Sequence, residues 1–316
     1  MLVLGEIHTG LLRHSAPITN AMAQRVLSRR LGDAVRSSVR PVSYVVSPDL
    51  YDGLDCRLST ASGAGPRAVG TAASFAAITG GQILQTATTV TAQRGETSRR
   101  MPWSHYLARP GVIETLGSFP DERVATGWPA ADTPNLGAIG KRLFSAVQRS
   151  PDLGGRPPFR ATRTRLRWVL TEDADNPRIE FSMESDELRT VRMAGTGLQP
   201  REVADFCADL ALHDWLLSVL LDIIDRSRLD SSGDRMTVDP LRDAIDNVLH
   251  HWMPAARLGG GMQPFWDGVD RASGLTRQWQ AQVERIRNHL AVRMLDRLDV
   301  TAQPLEGSLR SAAGNV

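Results

Sequence analysis

The stretch Thr162–Leu170, TRTRLRWVL, carries the clearest structural pattern in the chain. Arginine occupies every second position from 163 to 167, and Thr164, Leu166 and Trp168 occupy the positions that follow each arginine. Successive side chains of a β-strand point to opposite faces, so this alternation predicts a strand with one charged and one apolar face.

Two further runs follow within a short distance. Arg178–Glu184, RIEFSME, places Ile179, Phe181 and Met183 on one face, and Leu188–Met193, LRTVRM, repeats the pattern more weakly. The simplest structure for three such runs is an antiparallel three-stranded meander with one apolar face.

The segment from Pro200 to Ile224 is predicted to cover that face. Its apolar residues recur three or four positions apart, as an amphipathic helix requires. They are Val203, Phe206, Cys207, Leu210, Leu217, Leu220, Leu221 and Ile224. Helical periodicity returns after Asp239 and after Thr276, so the meander is expected to pack on a C-terminal helical bundle.

The N-terminal half contains an uncharged tract in which Gly80-Gly81 separates Ala73–Thr79 from Gln82–Thr91. Glycine pairs between β-prone arms are typical of hairpins. Two interpretations stay open. The hairpin lies inside a sheet covered by a helix predicted at Thr19–Leu31, or it forms a surface for self-association or for a partner.

These patterns predict an α+β protein in four parts. Residues 1–119 form a β-rich domain with a mixed sheet and a helix, and residues 120–159 form a Pro- and Gly-rich linker with one short helix. Residues 160–300 form the meander and the helical domain. Residues 301–316 form a disordered tail.

Composition limits the functional classes. The chain has 316 residues, a formal net charge of +2, and 41% hydrophobic residues, which is ordinary for a globular protein. Its two cysteines, Cys56 and Cys207, lie far apart, which favours buried thiols in a reducing compartment. The sequence has no signal peptide, membrane-spanning run, Walker loop or dinucleotide fingerprint, so we expect a cytoplasmic protein without a membrane span or cofactor.

The segment Pro102–Thr115 holds the densest group of reactive side chains, with Ser104, His105, Arg109 and Glu114 as candidate catalytic residues. A serine beside a histidine suggests a nucleophile and its base. Sequence neighbours rarely point at each other, however, and Ser104 has no glycine-flanked elbow. The favoured interpretation is a structural corner in which Trp103 and Tyr106 pack and His105 bonds locally.

Arg163, Arg165 and Arg167 form a row that could bind a phosphate backbone or another anion. Pairing with Glu180 and Glu184 on the next predicted strand is the preferred alternative.

Asp205, Asp209 and His213 lie on one helix face at a spacing that metal ligands use. No complementary ligand cluster accompanies them, so we predict no metal and a solvated acidic face. His250-His251 is predicted to be a helix-end pair, where a cationic imidazole is favoured.

Several stretches resemble a family of uncharacterised actinobacterial proteins. They are Leu2–Ser15 (LVLGEIHTGLLRHS), Asp55–Gly63 (DCRLSTASG), Pro102–Gly117 (PWSHYLARPGVIETLG), Pro157–Trp168 (PPFRATRTRLRW) and Leu210–Leu217 (LALHDWLL). The resemblance covers roughly Met1–Ile224. It implies a cytoplasmic component of a multi-protein system, encoded in a recurring cluster with a variant P-loop protein and a methyltransferase-like protein. It implies no catalytic residue.

Three functional hypotheses follow. The first is a non-enzymatic adaptor or structural subunit, present as a homo-oligomer or in a heterocomplex with co-encoded proteins. The second is a hydrolase or transferase that uses the Ser104–Glu114 segment on a phosphorylated or acyl substrate. The third, nucleic-acid or anion binding through the arginine row, is less favoured because the net charge is close to zero.

Overall fold

The computed structural model describes residues 2–28, 34–60, 63–117, 134–172, 177–227 and 239–313. The fold in these ranges is α+β, built on a large mixed sheet. The described strands are β1 (Leu2–Leu11), β2 (Arg36–Ser38), β3 (Tyr44–Val46), β4 (Leu50–Thr60), β5 (Gly63–Thr79), β6 (Ile83–Arg94), β7 (Val112–Thr115), β8 (Thr164–Thr171), β9 (Arg178–Met183) and β10 (Leu188–Ala194). The described α-helices are α1 (Asn20–Leu27), α2 (Trp103–Leu107), α3 (Leu136–Gln148), α4 (Pro200–Ser227), α5 (Asp239–Asn247), α6 (Gln263–Ser273) and α7 (Leu275–Ala313).

Strand β1 lies inside the sheet and pairs antiparallel with β6 on one side and β8 on the other. Beyond β6 lies β5, whose far edge pairs with β3 and β4, and β7 lies between the diverging ends of β5 and β6. Beyond β8 lie β10 and then β9. The segments expected as separate domains, 1–119 and 160–300, therefore contribute strands to one sheet. Residues 118–133 of the expected linker lie outside the described residues.

The predicted antiparallel meander is wrong in strand order. Strand β10, not β9, lies beside β8 and runs parallel to it, and β9 pairs antiparallel with β10 at the end of the sheet. Burial explains the order, because Val191 and Met193 of β10 are buried whereas Met183 of β9 is 61% exposed. A strand with charged residues on one face suits a sheet edge.

The predicted hairpin is confirmed as an internal element. Gly80 and Gly81 both have positive φ, 60° and 71°, and Gln82 N donates to Thr79 O at 3.2 Å. This two-residue turn matches the twist of the strands it joins. Strands β5 and β6 are paired on both sides. Helix α3 covers more of this hairpin than α1 does, since α3 packs on β6 and β1 whereas α1 lies mainly over β3.

Helices cover both faces of the sheet. On one face, Ile7, Leu166 and Trp168 meet α4 in the largest apolar cluster. On the other face, α3 contributes to two smaller clusters over β1, β5 and β6. The sheet is therefore the middle layer of three, which accounts for the burial of β1 along its whole length.

Helices α5 and α7 contact α4, and α6 contacts α7 and β9. In α7, Trp279 and Ile286 are buried, whereas Leu290 and Met294 are exposed. Helix α7 includes residues 301–313, which the sequence predicts as part of a disordered tail. Among the described helices, none combines the length and apolar character needed to cross a bilayer.

The hairpin turn packs against His251, which was expected to be a cationic helix-end residue. A Cβ added at Gly80 would lie 2.0 Å from His251 Cε1, so the glycine is also required by the close contact. His251 is 2% exposed, and its Nε2 accepts from Gln82 Nε2 at 3.3 Å. Burial, together with the neighbouring His250, lowers the pKa of His251 to about 3. The ring is therefore neutral in the folded protein.

We expect acid to destabilise the fold partly through His251. An unfolded histidine has a pKa of about 6.5, so the unfolded chain binds more protons below that pH and stability falls as pH falls. Between pH 7 and pH 5 this one residue should remove about 2 kcal/mol from the free energy of unfolding. Urea titrations of His251→Gln should show a correspondingly smaller loss, whereas His14→Gln should behave like the natural chain. An equal pH response in all three proteins would show that His251 is not held neutral.

Candidate functional site

The structure brings together three of the four predicted catalytic candidates. Glu114 Oε1 accepts a hydrogen bond from Arg109 Nη1 at 2.6 Å and lies 2.9 Å from His105 Nε2. Ser104 is exposed, and no hydrogen bond joins it to His105 among the described residues. The segment therefore supplies an oriented imidazole beside a carboxylate, without the serine that the nucleophile hypothesis needs.

The local fold holds this group firmly. Glu114 lies on β7, is 4% exposed, and is fixed by the pairing of β7 with β5 and β6. Tyr106 is 2% exposed and its hydroxyl accepts from Met101 N at 3.0 Å, which anchors α2. Glu114 engages Nε2, and no described residue forms a hydrogen bond with the other ring nitrogen of His105. The side chain of His105 is 27% exposed, so it is not enclosed by apolar groups.

Helix α2 also carries an exposed apolar surface, which we call the Trp103 patch. It consists of Tyr51 (49% exposed), Met101 (38%), Trp103 (38%) and Leu107 (64%). Trp103 lies over Gly53, where an added Cβ would be 3.1 Å from the indole. Tyr51 is on the same face of β4 as Gly53, and Leu107 is one helical turn after Trp103, so both lie beside Trp103. Met101 adjoins α2 through the bond from its backbone nitrogen to the Tyr106 hydroxyl.

Arginine surrounds the Trp103 patch. Arg100 lies over the Trp103 ring, 5.2 Å from its centroid, and shares Asp55 with Arg67. Arg109 adds a third guanidinium whose side chain is 46% exposed. The two adjacent carboxylates, Asp55 and Glu114, bind these three arginines and His105, so the surface around the patch keeps a positive surplus.

Only part of the patch could be predicted from the sequence. Trp103 was predicted to pack in a structural corner, and Tyr51 and Leu107 were not predicted to take part. A signal was present, because Tyr51 is a large aromatic residue on the β4 face that also carries Asp55 and Arg57. That signal could be interpreted only after α2 was placed beside β4.

The arginine row does not pair with Glu180 and Glu184 as predicted, because β9 is not adjacent to β8. The carboxylate that pairs with the arginine row is that of Glu6 on β1. Its side chain is 2% exposed and lies beneath the first turn of α3. Arg167 Nε donates to Glu6 Oε2 at 3.0 Å, and Arg165 Nη1 is 3.6 Å from Oε1. Arg163 lies 3.9 Å over the Phe144 ring. Arg165 and Arg167 are therefore paired within the chain, whereas Arg163 also lines an open pocket together with Arg156 and Arg160.

The expected solvated acidic face of α4 is also wrong. Asp209 and His213 are 3% and 1% exposed. His213 Nδ1 donates to Asp209 O at 2.7 Å and its Nε2 accepts from Met253 N at 3.2 Å. Asp205 binds Arg201 instead. In the described parts of the chain, no group of three or more potential ligands could hold a metal ion.

Comparisons with family models, curated proteins and solved structures give no match to this chain.

Proposed function

We propose that the protein is a non-enzymatic adaptor subunit that binds an acidic segment of a partner protein through the Trp103 patch. The supporting observation is the exposure of four large apolar side chains on a rigid, arginine-rimmed frame. Tryptophan, tyrosine and arginine are the residues most enriched at interaction hot spots, and methionine is enriched at interfaces generally.

Two features favour a protein partner with acidic residues. Apolar anchors at the centre with charged groups at the rim reproduce the anatomy of a protein–protein interface. The positive surplus from Arg67, Arg100 and Arg109 favours a negatively charged partner and disfavours direct contact between two copies of the patch. We propose that the partner is a co-encoded protein and that the two form a cytoplasmic heterocomplex.

We expect Trp103→Ala and Leu107→Asp to abolish stable assembly. Truncating a central tryptophan at a hot spot costs about 2–4 kcal/mol, or roughly 30- to 1,000-fold in affinity. The measurement is size-exclusion chromatography with light scattering on the purified chain mixed with each co-encoded protein. The matched control is Met183→Asp, since Met183 is 61% exposed on β9, away from α2.

Assembly by the natural chain and by Met183→Asp, but not by the two patch variants, would support the proposal. Assembly that survives both patch substitutions would contradict it, as would a monodisperse monomer in every mixture.

A hydrolase or transferase is the second candidate, and the observation that favours it is the 2.9 Å contact between His105 and Glu114. A carboxylate that orients an imidazole is a common feature of general-base catalysis. The variant His105→Gln separates the two functions when turnover is measured beside assembly. Under the adaptor proposal it assembles normally, whereas an enzyme would lose turnover of a phosphorylated or acyl substrate with assembly unchanged.

A further inference from the structure

A cavity of about 220 Å³ lies between the sheet and α4, away from the Trp103 patch. Its walls come from β2, β3, β6, α4 and the loop between α5 and α6. The lining side chains that matter for its chemistry are Arg36, Ser37, Ser38, Tyr44, Gln85, Arg201, Asp205, Asp209 and Arg257. An engineered cavity of about 150 Å³ holds benzene, so this one has room for roughly nine non-hydrogen atoms.

The three arginines that line the cavity differ in whether a carboxylate already pairs with them. Arg201 Nη1 binds Asp49 at 2.8 Å and its Nε lies 3.3 Å from Asp205. Arg257 stacks on Tyr44 at 4.0 Å and lies 3.6 Å from Asp209. Arg36, exposed on the edge strand β2, makes no close ion pair among the described residues, although its positive charge acts on Asp205 across the cavity. The rim of the cavity, where Ser37 and Ser38 adjoin Arg36, is therefore suited to an anionic group.

The inner wall offers hydrogen-bond acceptors. Asp209 Oδ2 accepts from Ala255 N at 2.9 Å, while its buried Oδ1 lies 3.6 Å from Arg257 Nη2 and makes no hydrogen bond within the described residues. Arg257 Nη1 is a buried donor that likewise makes no hydrogen bond there. Gln85 uses its amide nitrogen on Thr9 Oγ1 at 3.1 Å and on Ala208 O at 2.9 Å. The side-chain carbonyl oxygen of Gln85 remains as a hydrogen-bond acceptor. A buried acceptor without a donor costs about 1–3 kcal/mol, so a donor brought by a ligand would remove a penalty.

We propose that this cavity binds a small zwitterion of amino-acid size. The ligand's carboxylate lies at the rim with Arg36, Ser37 and Ser38, and its ammonium group lies at the inner wall with Asp209. The anionic group matches a cation that makes no close ion pair, and the multiple donor matches a buried carboxylate oxygen that makes no hydrogen bond, in both cases among the described residues. This inference does not depend on the adaptor function, because no lining residue belongs to the Trp103 patch.

Titration calorimetry on the full chain tests it with four probes of similar size. L-serine and L-aspartate carry both groups, succinate lacks the ammonium group, and 1,4-diaminobutane lacks the carboxylate. We expect the two amino acids to bind at least tenfold more tightly than either of the other probes. Arg36→Ala should weaken amino-acid binding at least tenfold, whereas Arg242→Ala, with a side chain 79% exposed on α5, should not change it.

A blocking variant gives a second, independent readout. Ala208 is 6% exposed on α4 and lines the cavity, so the longer side chain of Ala208→Met would occupy it. We expect this variant to keep the circular dichroism spectrum of the natural chain and to lose amino-acid binding. The absence of binding by both amino acids would overturn the proposal. So would equal binding of succinate, or binding that survives Arg36→Ala and Ala208→Met.

Discussion

We expect Asp214→Ala to lower the free energy of unfolding by about 3–5 kcal/mol, because it leaves a buried arginine without its counter-ion. Arg189 of β10 and Asp214 of α4 have side chains only 2% and 6% exposed, and they meet at 2.6 Å. Burial raises the pKa of Asp214, and the charge of Arg189 opposes that rise.

The rest of the Arg189 guanidinium is also occupied. Nη1 donates to Ser185 O at 2.9 Å and to Asp186 O at 2.6 Å, and Nη2 donates to Ser218 Oγ at 3.0 Å. These bonds join the turn between β9 and β10 to α4. Removing the carboxylate therefore disturbs the junction between the end of the sheet and its covering helix.

Urea unfolding of Asp214→Ala measures this loss, with Asp222→Ala as the control. Asp222 pairs with Arg226 on the same helix, but both side chains are substantially exposed, 49% and 39%. An exposed pair contributes about 0–1 kcal/mol. Equal losses in the two variants would contradict the argument. The double variant Arg189→Met/Asp214→Leu should recover most of the stability, since no buried charge then remains.

The Arg189–Asp214 pair illustrates how far the sequence could predict this fold. Alternation identified β8, β9 and β10, and helical spacing identified α4, because each pattern depends only on neighbouring residues. Strand order depends on long-range pairing, which periodicity does not contain. The same limit applies to Glu6, which pairs with Arg167 from 161 positions away.

The two candidate sites show the same difference between patterns of neighbouring residues and contacts between distant ones. His105, Arg109 and Glu114 fall within one short segment, so the sequence alone could suggest that they meet. The cavity takes Arg36, Gln85, Asp209 and Arg257 from four separate parts of the chain. Of these residues the sequence singles out only Asp209, as part of a helix-face pattern, and only the packing of α4 on the sheet brings the four together.

Gly5→Ala is expected to destabilise the protein by about 3 kcal/mol, although it adds a single methyl group. Gly5 of β1 lies directly opposite Trp168 of β8, and the indole lies across the glycine. A Cβ at position 5 would be 2.1 Å from Trp168 Cε2 and 2.3 Å from Nε1. Trp168 is completely buried in the cluster beneath α4, so the ring has no free space to move into.

Gly10→Ala is the matched control for thermal and urea unfolding, because it changes the same residue type on the same strand. An added Cβ there would lie 3.3 Å from Phe144 Cζ, which a small shift of the ring relieves. Combining Gly5→Ala with Trp168→Leu should cost less than the sum of the two single changes, because the smaller side chain removes the clash. Strict additivity, or equal losses at positions 5 and 10, would mean that the indole does not require the glycine.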